Sequence, residues 1–173
     1  FSVPMEVLGA PQTITPTVKD VAQPKPDAVS AVDKLQGHIL VAEDNPINAM
    51  VIQSFVARLG LTMTLVGDGQ KALDAITQRP PTEPRPDLVL MDVHMPAMDG
   101  YTATERIRLW EASEAAQGQS QPRMPILALT ADAFEEDRQR CMASGMDEFL
   151  TKPIAFDILK SVLATWLPAA KKS

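Results

Sequence analysis

The sequence predicts an α/β domain with a mostly parallel sheet covered on both faces, and three observations carry that reading. Short apolar runs alternate five times with segments of helical period. The composition is that of a globular chain, 45% hydrophobic and 22% charged over 173 residues. Polar side chains stand at the carboxyl ends of the apolar runs, the edge where α/β sheets gather their ligands.

Residues 1–34 stand apart. Five prolines fall in the first 26 residues and no apolar period lasts, which predicts an interdomain linker. Because the chain begins with Phe1, it is expected to be a piece of something longer. The domain proper is expected over 35–173.

His38 to Ala42 is the first strand, and it runs into Glu43 and Asp44. Asn45-Pro46 then supplies a helix N-cap and a proline at the first helical position. Ile47, Met50, Val51, Phe55 and Leu59 follow at helical spacing, and Gly60 stops the helix. Leu61 to Val66 is strand-like. A second helix spans Asp68 to Thr77, with Ala72, Leu73 and Ile76 on one face. Four prolines between Arg79 and Pro86 require a surface loop.

Leu88 to Met91 is the third strand and ends on Asp92; Gly100 reads as a turn residue. Thr102 to about Gln117 is helical, with Ala103, Ile107 and Trp110 facing inward. The fourth strand, Ile126 to Leu129, ends at Thr130. A short polar helix from Phe134 to Ser144 is closed by Gly145. Glu148 to Leu150 is a fifth strand leading to Lys152, and Phe156 to Leu167 is the last helix, with Ile158, Leu159, Val162, Leu163 and Trp166 apolar.

A parallel sheet brings the strand ends together, so Glu43, Asp44, Asp92, Thr130 and Lys152 are expected on one edge. Three carboxylates there repel: two unit charges about 4 Å apart cost ~4 kcal/mol at the effective dielectric near a protein surface. A hard dication with oxygen ligands relieves this, and Mg²⁺ suits a shallow site that keeps several waters. Such a site handles phosphoryl groups. Asp92 would be the nucleophile that forms an acyl phosphate, with Lys152 and the Thr130 hydroxyl on the transferring oxygens. Singly, each residue has an ordinary structural use; the joint placement at strand ends is what points to chemistry.

Charge and cysteine content narrow the classes further. A net charge of −6 argues against nucleic acid as the direct partner. The lone Cys141 cannot form an internal disulfide, which fits a reducing cytoplasmic setting, and it reads as packed rather than reactive. The longest stretch free of charge, His, Asn and Gln runs only from Ser161 to Ala170, about half of the ~20 residues needed to cross a bilayer. No direct membrane contact is therefore expected of this chain.

Four segments, ILVAEDNPIN at 39–48, LVLMDVHMPAMDG at 88–100, ILALTADA at 126–133 and FLTKPI at 149–154, together resemble the receiver domain of two-component signalling proteins. The resemblance covers about 36–168. It implies a flavodoxin-like (βα)5 three-layer sandwich with strand order 2-1-3-4-5, and it implies that Asp92 accepts a phosphoryl group from a phosphohistidine. It further implies Mg²⁺ ligation by Asp44, Asp92 and the His94 backbone carbonyl, with Glu43 acting through water. Thr130 and Phe149 would be the switch pair, and Lys152 would be aimed inward by a cis bond to Pro153. His94 and Asp132 occupy the places that bear on phosphate lifetime, with the exposed His94 ring expected to take no part.

AEDNPIN resembles receivers fused to hybrid kinases, and FSVPMEV at the start resembles the closing strand of a kinase ATP-binding domain. The expected setting is therefore the C-terminal receiver of a hybrid sensor histidine kinase anchored in the inner membrane. The receiver would pass its phosphoryl group to a histidine phosphotransfer protein. With six residues after Leu167, no output module is expected within this stretch of chain. The rival readings are a stand-alone single-domain regulator, a degenerate receiver used only for binding, and an aspartyl-phosphate phosphatase. The phosphatase is disfavoured because His94 stands where such enzymes place a second aspartate. A flavin site would need a Ser/Thr-rich phosphate loop after the first strand.

Overall fold

The computed structural model describes residues 34–119 and 121–168. The expected linker, apart from Lys34, lies outside the described residues. Five strands, β1 (His38–Ala42), β2 (Thr62–Val66), β3 (Leu88–Asp92), β4 (Ile126–Thr130) and β5 (Glu148–Thr151), alternate with five helices. These are α1 (Pro46–Arg58), α2 (Gly69–Thr77), α3 (Gly100–Ala116), α4 (Glu135–Ser144) and α5 (Phe156–Trp166). All neighbouring strands are parallel and the order is β2-β1-β3-β4-β5. The expected fold class and strand order are thus found.

Alternation along the strands divides the interior in two. Leu40, Ala42, Val89, Met91, Ile126 and Ala128 pack with residues of α2, α3 and α4. Ile39, Val41, Leu88, Leu90, Leu127 and Leu129 pack with α1 and α5. All five residues of β3 are buried, as are all five of β4, so these central strands carry the platform. Each fully buried aliphatic side chain is worth about 1.5–3 kcal/mol. No helix among the described residues is long and apolar enough to cross a membrane.

The N-cap of α1 is the expected one: Asn45 Oδ1 accepts from the amides of Ile47 and Asn48. The buried face of α1 is not. Ile47 is 71% exposed, Met50 69% and Val51 39%, while Ala49, Ile52 and Val56 meet the sheet. Apolar residues surround this helix almost completely, so spacing alone selects no face. Ala49 lets the first turn approach the strands closely, and Ile52, Val56 and Leu59 continue its line. On α5 the same correction applies to Ile158, which is exposed while Leu159 and Leu163 are buried.

Helix α3 begins two residues earlier than expected. Asp99 caps it, accepting from the Thr102 amide at 2.7 Å, and Gly100 is its first helical residue rather than part of a turn. Any Cβ at Gly100 would stand 2.3 Å from the backbone carbonyl oxygen of Asp92. Glycine is needed there because the helix start rests on the end of β3. Gly145 closes α4 as expected, with a left-handed φ of +100°.

Candidate functional site

Parallel register sets the strand ends level. Ala42 pairs with Met91, Asp92 with Leu129, and Thr130 with Thr151. Backbone bonds continue past the strands: Glu43 N–H donates to Val66 O, Val93 N–H to Leu129 O, and Lys152 N–H to Thr130 O. The residues after each strand therefore have fixed positions before any side chain acts.

On this edge the carboxylates of Glu43, Asp44 and Asp92 converge, with one oxygen of each lying within 4.8 Å of the others. Glu43 and Asp92 are buried and Asp44 is exposed. Lys152 crosses from the end of β5 and donates from Nζ to Asp92 Oδ2 at 2.7 Å. The same ammonium is 2.9 Å from Glu43 Oε2, off the line of a hydrogen bond, so that buried oxygen is held by charge alone. Glu43 Oε1 accepts from the Asn45 amide at 3.1 Å and from the Asn48 side chain at 3.5 Å. Asp92 Oδ1 accepts from the His94 amide at 3.0 Å.

Electrostatics follow from this crowding. Burial pushes the Glu43 carboxyl up, Lys152 opposes it, and the neighbouring Asp92 charge adds to the rise. Burial works against the Lys152 ammonium, but its hydrogen bond to Asp92 and its ion pair with Glu43 hold it above its ordinary value. One ammonium against three carboxylates leaves the cluster short of positive charge. An all-oxygen donor set, an orphaned buried oxygen on Glu43 and an open side at Asp44 fit a hard dication.

Thr130 is buried at the same edge, but its hydroxyl is engaged locally. It donates to Asp132 O at 3.0 Å and accepts from Asp132 N–H at 3.2 Å. The Asp132 and His94 side chains are exposed. Phe149 is half-buried against α4 and the α2–α4 side of the core, with the Arg138 guanidinium 5.6 Å above its ring. Lys152-Pro153 is cis, as the resemblance implies.

Sequence reasoning missed two supports of this site. One is Asn48, whose only signal was its spacing from Glu43. The other is Gly69, whose N–H donates to Met98 O and whose Cα lies so near the loop after β3 that a Cβ would stand 2.5 Å from that oxygen.

The family model for the response regulator receiver domain matches residues 39–164. This chain belongs to that family. Among curated relatives, the sensor protein GacS of Pseudomonas syringae is 39% identical over 135 residues, 78% of this chain. The sensor histidine kinase RcsC of Escherichia coli is 37% identical over 146 residues, 84% of this chain. The receiver described here spans only 14% of the length of each. The receiver domain of the sensor histidine kinase PA1611 of Pseudomonas aeruginosa is a solved structure with a magnesium ion coordinated in its active-site cleft. It shares 38% identity at a TM-score of 0.63, covering 76% of this chain and 97% of that one. The receiver of Ssk1 from Saccharomyces cerevisiae, solved bound to the histidine phosphotransfer protein Ypd1, shares 28% identity at a TM-score of 0.69. That match covers 76% of this chain and 89% of the other.

Proposed function

We propose that this receiver takes a phosphoryl group from a phosphohistidine onto Asp92 and hands it to a histidine of a phosphotransfer protein, as the receiver of a hybrid sensor histidine kinase. The observation that carries the reading is the Lys152 ammonium shared between Asp92 and Glu43 beside the open carboxylate of Asp44.

A carboxylate oxygen of Asp92 forms the new O–P bond as the N–P bond to the donor imidazole breaks, and the departing imidazole nitrogen takes up a proton. Mg²⁺, held by Asp44, Asp92 and the His94 carbonyl with Glu43 acting through water, would neutralise charge on the phosphoryl oxygens. Lys152 keeps Asp92 oriented beforehand and would pair with the phosphate afterwards. Thr130 would exchange its bonds to Asp132 for one to a phosphoryl oxygen, and Phe149 would move inward behind it. Asp132 and His94, both exposed, would stand where an attacking water could be oriented or excluded. The pair of switch residues would thereby bias two packings of the α4–β5–α5 face.

Partner and setting rest on two observations. The exposed apolar residues Ile47, Met50 and Val51 on α1 follow directly after the acidic cluster, a surface suited to a partner that must deliver a histidine to Asp92. The curated relatives are sensor kinases several times longer than this chain. In the proposed parent, residues 1–34 join the receiver to a kinase core in a protein anchored in the inner membrane, with the receiver in the cytoplasm.

The test follows radiolabelled phosphate from a phosphohistidine-bearing phosphotransfer protein. Transfer to the wild-type receiver with Mg²⁺, lost in Asp92→Asn and on chelation, supports the reading. Labelling that persists in Asp92→Asn overturns it.

A further inference from the structure

The two ends of α4 are held very differently. At its C-terminal end, Gly145 O accepts from Arg108 Nε and from Arg123 Nη2, both at 2.9 Å. Arg108 also binds Met124 O, Glu111 and Asp147, so this end is tied to α3 and to the start of β4. At its N-terminal end, Phe134 is 70% exposed and supplies no side-chain cap. Only Cys141 and Ser144 of the helix are buried, and both lie toward the fixed end.

A cation–π contact joins the middle of α4 to the first turn of α3, beside the buried packing of Cys141 near Tyr101. The Arg140 guanidinium lies 4.3 Å from the centre of the Tyr101 ring. Tyr101 is buried and follows Gly100, whose amide donates to Val93 O and whose Cα is pressed on the Asp92 carbonyl. Burial works against the Asp99 carboxylate, but its bonds from Thr102 and the charges of Arg140 and His94 hold it below its usual value. Arg140 therefore lies near Asp99, at the far end of the loop that follows Asp92.

We propose that the Arg140–Tyr101 stack is a latch that holds α4 against the first turn of α3, next to the loop that follows Asp92, and that α4 swings about Gly145 when the latch opens. The release rests on the reading of Asp92 as phosphoacceptor. A phosphoryl group there adds negative charge that competes with the ring face for the guanidinium. The latch itself exists without phosphate.

Amide hydrogen exchange across α4, with and without beryllofluoride and Mg²⁺ as an aspartyl-phosphate mimic, tests this. Arg140 is exposed, so Arg140→Gln is expected to fold. Without the mimic, exchange in the first two turns of α4 should quicken about fivefold in Arg140→Gln, the order a cation–π contact allows. Amides next to Gly145 should be unchanged. Arg140→Lys and Tyr101→Phe, which keep charge and ring, should remain close to wild type. Beryllofluoride should quicken the same turns in wild type and add little in Arg140→Gln. Wild-type exchange in Arg140→Gln, or loosening that begins beside Gly145, overturns the latch. Failure of beryllofluoride to bind at all would instead count against Asp92 as the acceptor, with the mimic-free comparison still deciding the latch.

Discussion

Lys152 Nζ lies 2.7 Å from Asp92 Oδ2, and the same ammonium lies 2.9 Å from a buried oxygen of Glu43. One cation thus holds together two carboxylates that would otherwise repel. Lys152→Met should destabilise the domain by about 3 kcal/mol, the lower range for breaking a buried pair, because the side chain keeps some solvent contact. Mg²⁺ should restore more stability to the variant than to wild type, since it binds the folded cluster. Thermal unfolding with Mg²⁺ and with a chelator checks both; equal Mg²⁺ shifts in the two proteins would refute the shared role.

Gly100→Ala places a methyl group 2.3 Å from the Asp92 carbonyl oxygen, with Met91 Cγ at 2.9 Å. Neither the strand nor the helix start can yield locally. The substitution should cost about 3 kcal/mol or more by overpacking, measured as a lower urea midpoint. Phosphoryl acceptance should fall as well, because Asp92 moves with its backbone.

Much of this architecture was legible in the sequence because it rests on local signals. Apolar runs ending in Asp44, Asp92, Thr130 and Lys152 place the strand ends, and a parallel sheet does the rest. The face of α1 was not legible: Ile47, Met50 and Val51 obey helical spacing as well as Ala49, Ile52 and Val56 do, and only the sheet chooses between them. The Arg108–Asp147 pair, separated by 39 residues, leaves no periodic trace. The start of α3 was misplaced because Asp99-Gly100 reads as a turn unless the close approach to β3 is known.

Burial and the nearby Cys141 thiol push the Tyr101 phenol up to about 12, above the roughly 10 of an unfolded tyrosine. Burial likewise raises the Cys141 thiol. Above the unfolded-state values the unfolded chain loses these protons first, so stability present at neutral pH should decline as pH rises from about 9, where the unfolded thiol begins to titrate, toward 12. Tyr101→Phe should remove the tyrosine share of that decline. It should cost little at pH 7, because the buried hydroxyl meets only the weakly bonding Cys141 thiol. Urea midpoints across this pH range, for both proteins, provide the check.

His94 offers its amide to Asp92 while its ring is exposed and bonds to nothing among the described residues. His94→Asn should leave the half-life of the aspartyl phosphate unchanged. A clear difference in half-life would assign the imidazole a part in hydrolysis.

Met50→Glu changes only an exposed residue of α1. Transfer from a phosphotransfer protein should slow roughly tenfold, a loss of about 1.4 kcal/mol at the docking surface. Incorporation from a small phosphoryl donor should hold steady. Equal slowing with both donors would place the defect in the acidic cluster instead.

The most direct measurement maps the site of phosphorylation by mass spectrometry after incubation with acetyl phosphate and Mg²⁺. The account predicts one phosphoryl group on Asp92, absent from Asp92→Asn and from metal-chelated protein. Modification elsewhere, or incorporation indifferent to Mg²⁺, would contradict it.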